Sequence, residues 1–458
     1  MLPTPGPETL TMVPRTATFC IVLAGTFAGG LASGQHLSND AQHGELIPAP
    51  ENAVLGMAEL ERMAMARNPT LVQAGAQVQI SRGKAIQAGL APNPLVGYAA
   101  EQIGAAGTAG EFHGIFFEQQ IVTGGKLQLS RAKFFQEARQ AELQVLAQRY
   151  RILQSVRLSY YDVLMRQGRH EIRRKLLANS EETLVTLKEL TNVGQANEVD
   201  LLQAQVQLQR ARANLKRADR QLQGAREELA AVVGSPELEL TALEDRLDIV
   251  DQNPIEREAA LANLLMCSPQ LRFAESEVER DRIGLERERR EPIPNINLRA
   301  ETGYNFEAED TVAGVEVGLR LPIWDKNQGT ILQAQAELTR AQAEVARIEL
   351  MLRQQFAETF ANYEAAMTLA TSYRREILPK AEQTYATYVD SFKNRRAAWP
   401  QVVNAQREYL ELYDEYLDSV HEARDAEVRI NTFFLHDGLS QPQEPTPEGH
   451  RDATPRPR

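Results

Sequence analysis

Lys126-Leu127-Gln128-Leu129-Ser130-Arg131-Ala132 opens a run that reaches Asn192 with no proline and a single glycine, Gly168. Proline kinks or ends a helix and glycine weakens one, so so clean a stretch reads as one continuous helix. At ~1.5 Å per residue it is roughly 100 Å long. Rods of that length belong to coiled coils and bundles rather than to ordinary globular domains. A second run, Thr330 to Asn394, differs in carrying Pro379, which is expected to kink it rather than end it.

The two rods are corresponding parts of a duplication. Asn68-Pro69-Thr70-Leu71 recurs as Ser268-Pro269-Gln270-Leu271, and the same shift of 200 lays Pro92 on Pro292, Pro94 on Pro294 and Glu101 on Glu301. A shift of 202 brings Tyr161 onto Tyr363, and one of 201 sets Leu202-Gln203-Ala204-Gln205 against Val403-Asn404-Ala405-Gln406. Each copy has the same order: an opening helix (Met57 to Leu90, and Glu256 to Arg290), two strand-like segments, the rod, a short break and a medium helix. Opening and medium helices together nearly equal the rod in length, so stacked end to end they could run alongside it.

Between helices the period changes from helical to two. Ala313, Val315, Val317, Leu319 and Leu321 alternate with Gly314, Glu316, Gly318 and Arg320. Ile296, Leu298 and Ala300 alternate with Asn297, Arg299 and Glu301, while Val96, Tyr98, Ala100, Ile115 and Phe117 form a less regular first-copy version. About ten residues suffice for a strand to cross a bilayer at a tilt. The alternation alone fits a transmembrane barrel or surface hairpins equally. Export, the lack of a second long apolar run and the rods favour the barrel. Four strands cannot close one and open edges are not tolerated in lipid, so other chains must complete it. Three chains give twelve strands, though the count does not decide trimer over tetramer.

Composition agrees. Of 458 residues 6% are aromatic, and the net charge of −12 argues against nucleic acid while suiting a surface or lumen that favours cations. Arg15, the apolar stretch Ala17 to Leu31 and Ala32-Ser33-Gly34 read as an export signal cleaved before Gln35. Cys20 lies in that signal without a lipoprotein box, leaving Cys267 alone and no disulfide framework. His36, His43, His113, His170, His421, His436 and His450 show no ligand spacing, and no nucleophile elbow, P-loop or metalloprotease motif appears. Nothing points to an enzyme, a cofactor or a metal site. Tyr150, Tyr160, Tyr161 and Tyr363 read as helix-packing residues rather than a ligand box.

Five stretches resemble the TolC family of outer-membrane efflux channels, over essentially all of Val54 to Leu435. They are Leu60 to Asn93 with its Pro92-Asn93-Pro94 end, Gln120 to Lys126, Ser159 to Leu164, Val193 to Leu202, and Leu321-Pro322-Ile323-Trp324-Asp325-Lys326-Asn327-Gln328-Gly329. The Gly124-Gly125-Lys126 and Asp325-to-Gly329 segments look closest to the heavy-metal, cobalt–zinc–cadmium branch. The resemblance implies a mainly helical homotrimer, with a twelve-stranded barrel in outer-membrane lipid above a long periplasmic helical barrel. It further implies a periplasmic adaptor and an inner-membrane transporter of RND type, and a passive conduit for small solutes, heavy-metal cations foremost. Drug export, type I protein secretion and a soluble periplasmic scaffold are the alternatives.

The expected layout is a signal peptide over 1–34, an extension over 35–53, a first repeat over 54–234 (strands 95–103 and 112–121), and an equatorial segment over 235–255. A second repeat over 256–437 (strands 295–303 and 312–321) and a disordered tail over 438–458 follow. At the first tip Gly194 can end the rod and Asn197 can cap the next helix. Val193, Gly194 and Ala196 match the adaptor-docking turn that the resemblance implies, and Gln195, with Arg395 and Trp399 of the second tip, is expected beside them on the docking tip. Glu198 and Asp200 suit the positive end of the helix that Asn197 caps, and that alone could account for them. Equally, with Gln401 they are the expected constriction, where three-fold carboxylate rings would attract cations. Arg299, Glu301, Glu316 and Arg320 are expected in the barrel lumen. The tips differ: Gly194 corresponds to Arg395, Asp200 to Gln401, and Trp399-Pro400 replaces Glu198-Val199. Arg395 and Arg396 could pair with carboxylates across the tip or stand as a solvated basic turn.

Overall fold

A computed structural model describes residues 56–104, 111–193, 197–240, 243, 247–248, 254–394 and 396–442. The export signal, the N-terminal extension, Gly194, Gln195, Ala196, Arg395 and the tail beyond 442 lie outside the described residues.

In chain order the elements are α1 (Met57–Arg67), α2 (Pro69–Ala88), β1 (Leu95–Glu101), β2 (Phe112–Ile121), α3 (Lys126–Asn192) and α4 (Glu198–Val232). The second copy follows as α5 (Arg257–Cys267), α6 (Pro269–Arg290), β3 (Ile296–Asn305), β4 (Asp310–Leu319), α7 (Gln328–Ser372), a π-helical turn (Tyr373–Ile377), α8 (Leu378–Lys393) and α9 (Trp399–Asn431). The rod of the first copy is continuous over 67 residues.

The opening helix expected as one piece is two in both copies. Pro69 has no N–H for the ladder and pushes Asn68 out of helical backbone, to φ −70 and ψ 121. The Asn68 Oδ1 then accepts from the Thr70 N–H at 3.0 Å and caps α2. Ser268 and Pro269 break the second copy at the equivalent place, with Ser268 at φ −56 and ψ 122. Pro379 does more than kink its rod: five residues before α8 widen into a π-helical turn. Widening re-seats carbonyls that the proline ring would otherwise strike or leave unpaired.

All four strands form one antiparallel sheet in the order β1-β2-β3-β4, the repeats joining at β2 and β3. Strand β2 has its expected bounds. Strand β1 stops at Glu101, followed by Gln102 at φ 56, and β4 begins two residues early and ends at Leu319, because the β3–β4 turn closes sooner. Asn305 Oδ1 closes that turn by accepting from the N–H groups of Glu307 and Ala308, both at 2.9 Å. Arg320 is therefore exposed beyond the strand rather than within it.

The core is a string of clusters along the helices. One gathers Tyr160, Leu229, Val420 and, from between α4 and α5, Leu240, Leu243 and Leu247. A second holds Leu264, Phe356, Phe360 and Tyr363, and a third at the tip holds Leu187, Tyr385, Phe392 and Trp399. Tyr160 and Tyr363 pack in these cores, and Tyr150 lies edge-on to Phe433 with centroids 4.8 Å apart, as expected of packing residues. Toward the sheet the buried face of α3 carries many polar residues, Lys126, Lys133, Glu137, Gln140, Gln144 and Gln148, interleaved with Phe134, Ala138, Ala141 and Ala147. Lys84 of α2 meets Glu137 at 2.9 Å, and Gln148 donates to the Thr70 hydroxyl at 2.7 Å. No helix among the described residues is long and apolar enough to cross a membrane.

Candidate pore and docking surfaces

Two regions carry the chemistry. One is the tip where α3 turns into α4 and α8 into α9. The other is the sheet.

At the first tip Asn197 takes extended backbone, and its Oδ1 accepts from the Val199 N–H at 3.1 Å, so it caps α4. Glu198 and Asp200 occupy the first turn, where the positive end of the helix favours carboxylates. Glu198 is exposed and Asp200 half-buried. Val193 is 64% exposed, and a ridge of Val199, Leu202 and Val206 continues from it along α4, each more than half exposed. This ridge was missed in the sequence, although its three-and-four spacing marks a single helical face. With Gln203, Arg210, Pro400 and Val403 it borders a groove of about 490 Å³ between α4 and α9.

The second tip is built differently. Trp399, expected on the docking surface, is only 4% exposed, its indole against Phe392 at a centroid distance of 5.5 Å. A large apolar ring at the start of α9 does more by filling the tip core than by facing water. The Gln401 Oε1, expected at the constriction, accepts from the Ala398 N–H at 2.9 Å and caps α9. The exposed Arg396 donates its backbone N–H to the Ser391 carbonyl at 2.7 Å, closing the end of α8.

Above the tip, tyrosines line the α8–α9 contact. Tyr385 and Tyr409 stack with centroids 6.1 Å apart, and Tyr413 links Tyr409 to Tyr416. Burial raises the Tyr385 phenol, and burial with Glu382 nearby pushes Tyr409 up to about 12. Burial also raises Tyr416, aided by its hydrogen bond to Asp248.

In the sheet, pairing register decides which side chains share a face. Val96, Phe117, Ala300 and Val315 form one cross-sheet row, and Gln119, Leu298 and Val317 another, on an apolar face. At one end of that face Tyr98 is hydrogen-bonded to His113, which lies edge-on to Phe306 at 5.5 Å. His113 thus belongs to an aromatic cluster at one end of the sheet. The opposite face is polar. Arg299 stands in register with Glu118 on β2 and Glu316 on β4, and Glu301 with Phe116 and Gly314. Expected lumen residues Arg299, Glu301 and Glu316 thus share one face. Glu118 joins them; the irregular first copy, with Gly97 and Gly114 interleaved among aromatic rings, hid it. Among the described residues no three His, Cys, Asp or Glu side chains come together as a metal-holding group.

Long helices joined to a four-stranded sheet with one apolar face are a fold shared with solved outer-membrane proteins. The chain matches the outer membrane protein VceC of Vibrio cholerae with a TM-score of 0.68 and 18% identity, over 84% of this chain and 97% of that one. It matches CusC with a TM-score of 0.69 and 16% identity, over 84% and 95% of the two chains. Among curated proteins, it is 24% identical over 393 residues to the cobalt-zinc-cadmium resistance protein CzcC of Cupriavidus metallidurans, covering 84% of this chain and 92% of that one. Residues 60–235 match the family described as outer membrane efflux protein.

Proposed function

We propose that three copies of this chain form a passive outer-membrane conduit that releases small solutes, heavy-metal cations foremost, to the exterior. The observation that carries this reading is the sheet: one face apolar, the other bearing charge, and β1 and β4 left as its edges. Lipid does not tolerate open edges, and β4 of one copy pairing with β1 of the next removes all of them. Three copies give twelve strands, with the charged face turned to the lumen. The helices below extend the conduit through the periplasm. Likeness to a cobalt-zinc-cadmium resistance protein supports the choice of cargo.

At the tip, Val193 and the ridge Val199, Leu202 and Val206 meet a periplasmic adaptor that links the channel to an inner-membrane transporter of RND type. Gly194, Gln195, Ala196 and Arg395 complete that docking turn. Glu198 and Asp200 from three copies form the acidic approach to the lumen, with Gln401 beside them. Trp399 supports this surface from within.

Detergent-extracted protein placed in planar bilayers tests the reading. Trimers are expected to give discrete, long-lived conductance steps. A folded trimer without conductance overturns it. Asp200→Asn is expected to lower the cation preference of those pores, and an unchanged preference removes Asp200 from the constriction.

A further inference from the structure

Resting on the channel reading above, we infer that Arg299 is a built-in counter-cation that keeps the barrel's acidic wall from trapping divalent cations in transit. The four strands contain five carboxylates, Glu101, Glu118, Glu301, Asp310 and Glu316, and one basic residue, Arg299. Register places all six on the same face. Glu118 and Glu316 flank Arg299 directly, Glu301 lies two residues along the same strand, and Glu101 and Asp310 align through Phe112 and Asn305.

Directly paired residues on neighbouring strands have Cβ atoms about 5 Å apart. Carboxylates at that spacing, from Glu118 and Glu316 on either side and Glu301 above, would surround whatever stands at position 299. A divalent cation is the small hard charge that such oxygens hold best. Arg299 already fills the place. Its guanidinium meets the Glu301 carboxylate at 3.2 Å and lies over the Phe116 ring with its carbon 4.5 Å from the centroid.

The position of the ring is itself constrained. A Cβ at Gly97 would come within 2.5 Å of two Phe116 ring atoms, so the bare glycine lets the ring lie against the wall. The ring in turn holds the guanidinium by cation–π attraction. Conduction needs sites that attract an ion without retaining it. An acidic wall supplies the attraction, and a fixed cation among its carboxylates limits retention.

The experiment compares trimers of the wild type, Arg299→Gln and Arg299→Lys in planar bilayers with potassium chloride, before and after adding zinc chloride. The wild type and R299K are expected to pass potassium current nearly unchanged by zinc. R299Q is expected to raise the potassium-to-chloride permeability ratio by roughly threefold, the effect of removing screened charges several ångströms from the ion path. Its current should also become sensitive to zinc block. R299Q pores of normal conductance with wild-type selectivity and no zinc block overturn the inference. Wild-type trimers without pores overturn the channel reading instead. If R299Q does not assemble, the pair Glu118→Gln and Glu316→Gln decides: with Arg299 left in place the ratio must fall several-fold, and no change overturns the inference.

Discussion

The Tyr416 hydroxyl donates to the Asp248 carboxylate at 2.8 Å, tying α9 to the stretch between α4 and α5. Arg374, inside the π-helical turn, meets the same carboxylate oxygen at 3.1 Å, and Arg424 donates to the Asp248 carbonyl at 3.1 Å. Asp248 is therefore fastened where the second rod departs from regular helix. Asp248→Asn keeps one acceptor but removes the charge that Arg374 meets. It is expected to leave total helicity unchanged while raising amide exchange in the π-helical turn several-fold. Uniform exchange across α7 and α8 would count against this fastening.

Tyrosines make the α8–α9 packing sensitive to alkali. Tyr385, Tyr409 and Tyr416 all have phenols raised by burial, Tyr409 up to about 12. A folded pKa above the unfolded value of about 10 means stability is fully present below pH 10 and is lost as pH rises through the folded value. Absorbance of phenolate should lag behind that of free tyrosine, and helicity should fall only where these late phenols ionise. Helix loss well below pH 10 would contradict this assignment.

Trp399 is expected to hold the tip together. Truncation of a buried Trp to Ala costs about 3–5 kcal/mol, here concentrated on the contact with Phe392. The chain has two tryptophans. In a Trp324→Phe background the emission of Trp399 should be blue-shifted, and it should move to the red at lower denaturant than global unfolding. Emission typical of a solvated indole in the native protein would refute burial.

Asn197→Ala should weaken the start of α4 by about 1 kcal/mol, the usual value of a side-chain cap. Exchange of the Val199 amide should accelerate about fivefold, and Asn197→Asp should restore it. Equal protection in all three proteins would show that the cap does not contribute.

Gly303→Ala should disrupt the sheet. Gly303 and Gly114 face each other across β2 and β3, and a Cβ at Gly303 would lie 2.5 Å from the Gly114 Cα. Backbone cannot yield as a side chain can, so the cost should reach 1–3 kcal/mol or more (about the range for overpacking). The expected readout is loss of detergent-resistant oligomer with helicity intact.

Much of this architecture is legible in residue order because its signals are long. Sixty-seven residues without proline can hardly be anything but a rod, and the spacing of Arg299 and Glu301 puts them on one face of β3 whatever the partner strand, while Glu316 joins them through the β3–β4 register. What escaped notice depends on contacts rather than period. Trp399 begins a helix at a turn, and nothing local says whether its ring faces out or packs on Phe392. The π-helical turn has a visible cause in Pro379, yet whether a proline kinks or widens a helix is settled by neighbours, here Asp248 on Arg374. The breaks at Asn68-Pro69 and Ser268-Pro269 were readable from the proline rule and passed over because the apolar period runs through them.

The polar residues on the buried face of α3 bear on how α2 is set against it. Apolar surfaces tolerate sliding, since one methyl contact replaces another. Lys84 on Glu137 and Gln148 on Thr70 do not: moving α2 by a turn against α3 would leave buried charges and amides unmatched. The seam therefore acts as a ruler, fixing the position of α2 along α3 to the nearest helical turn.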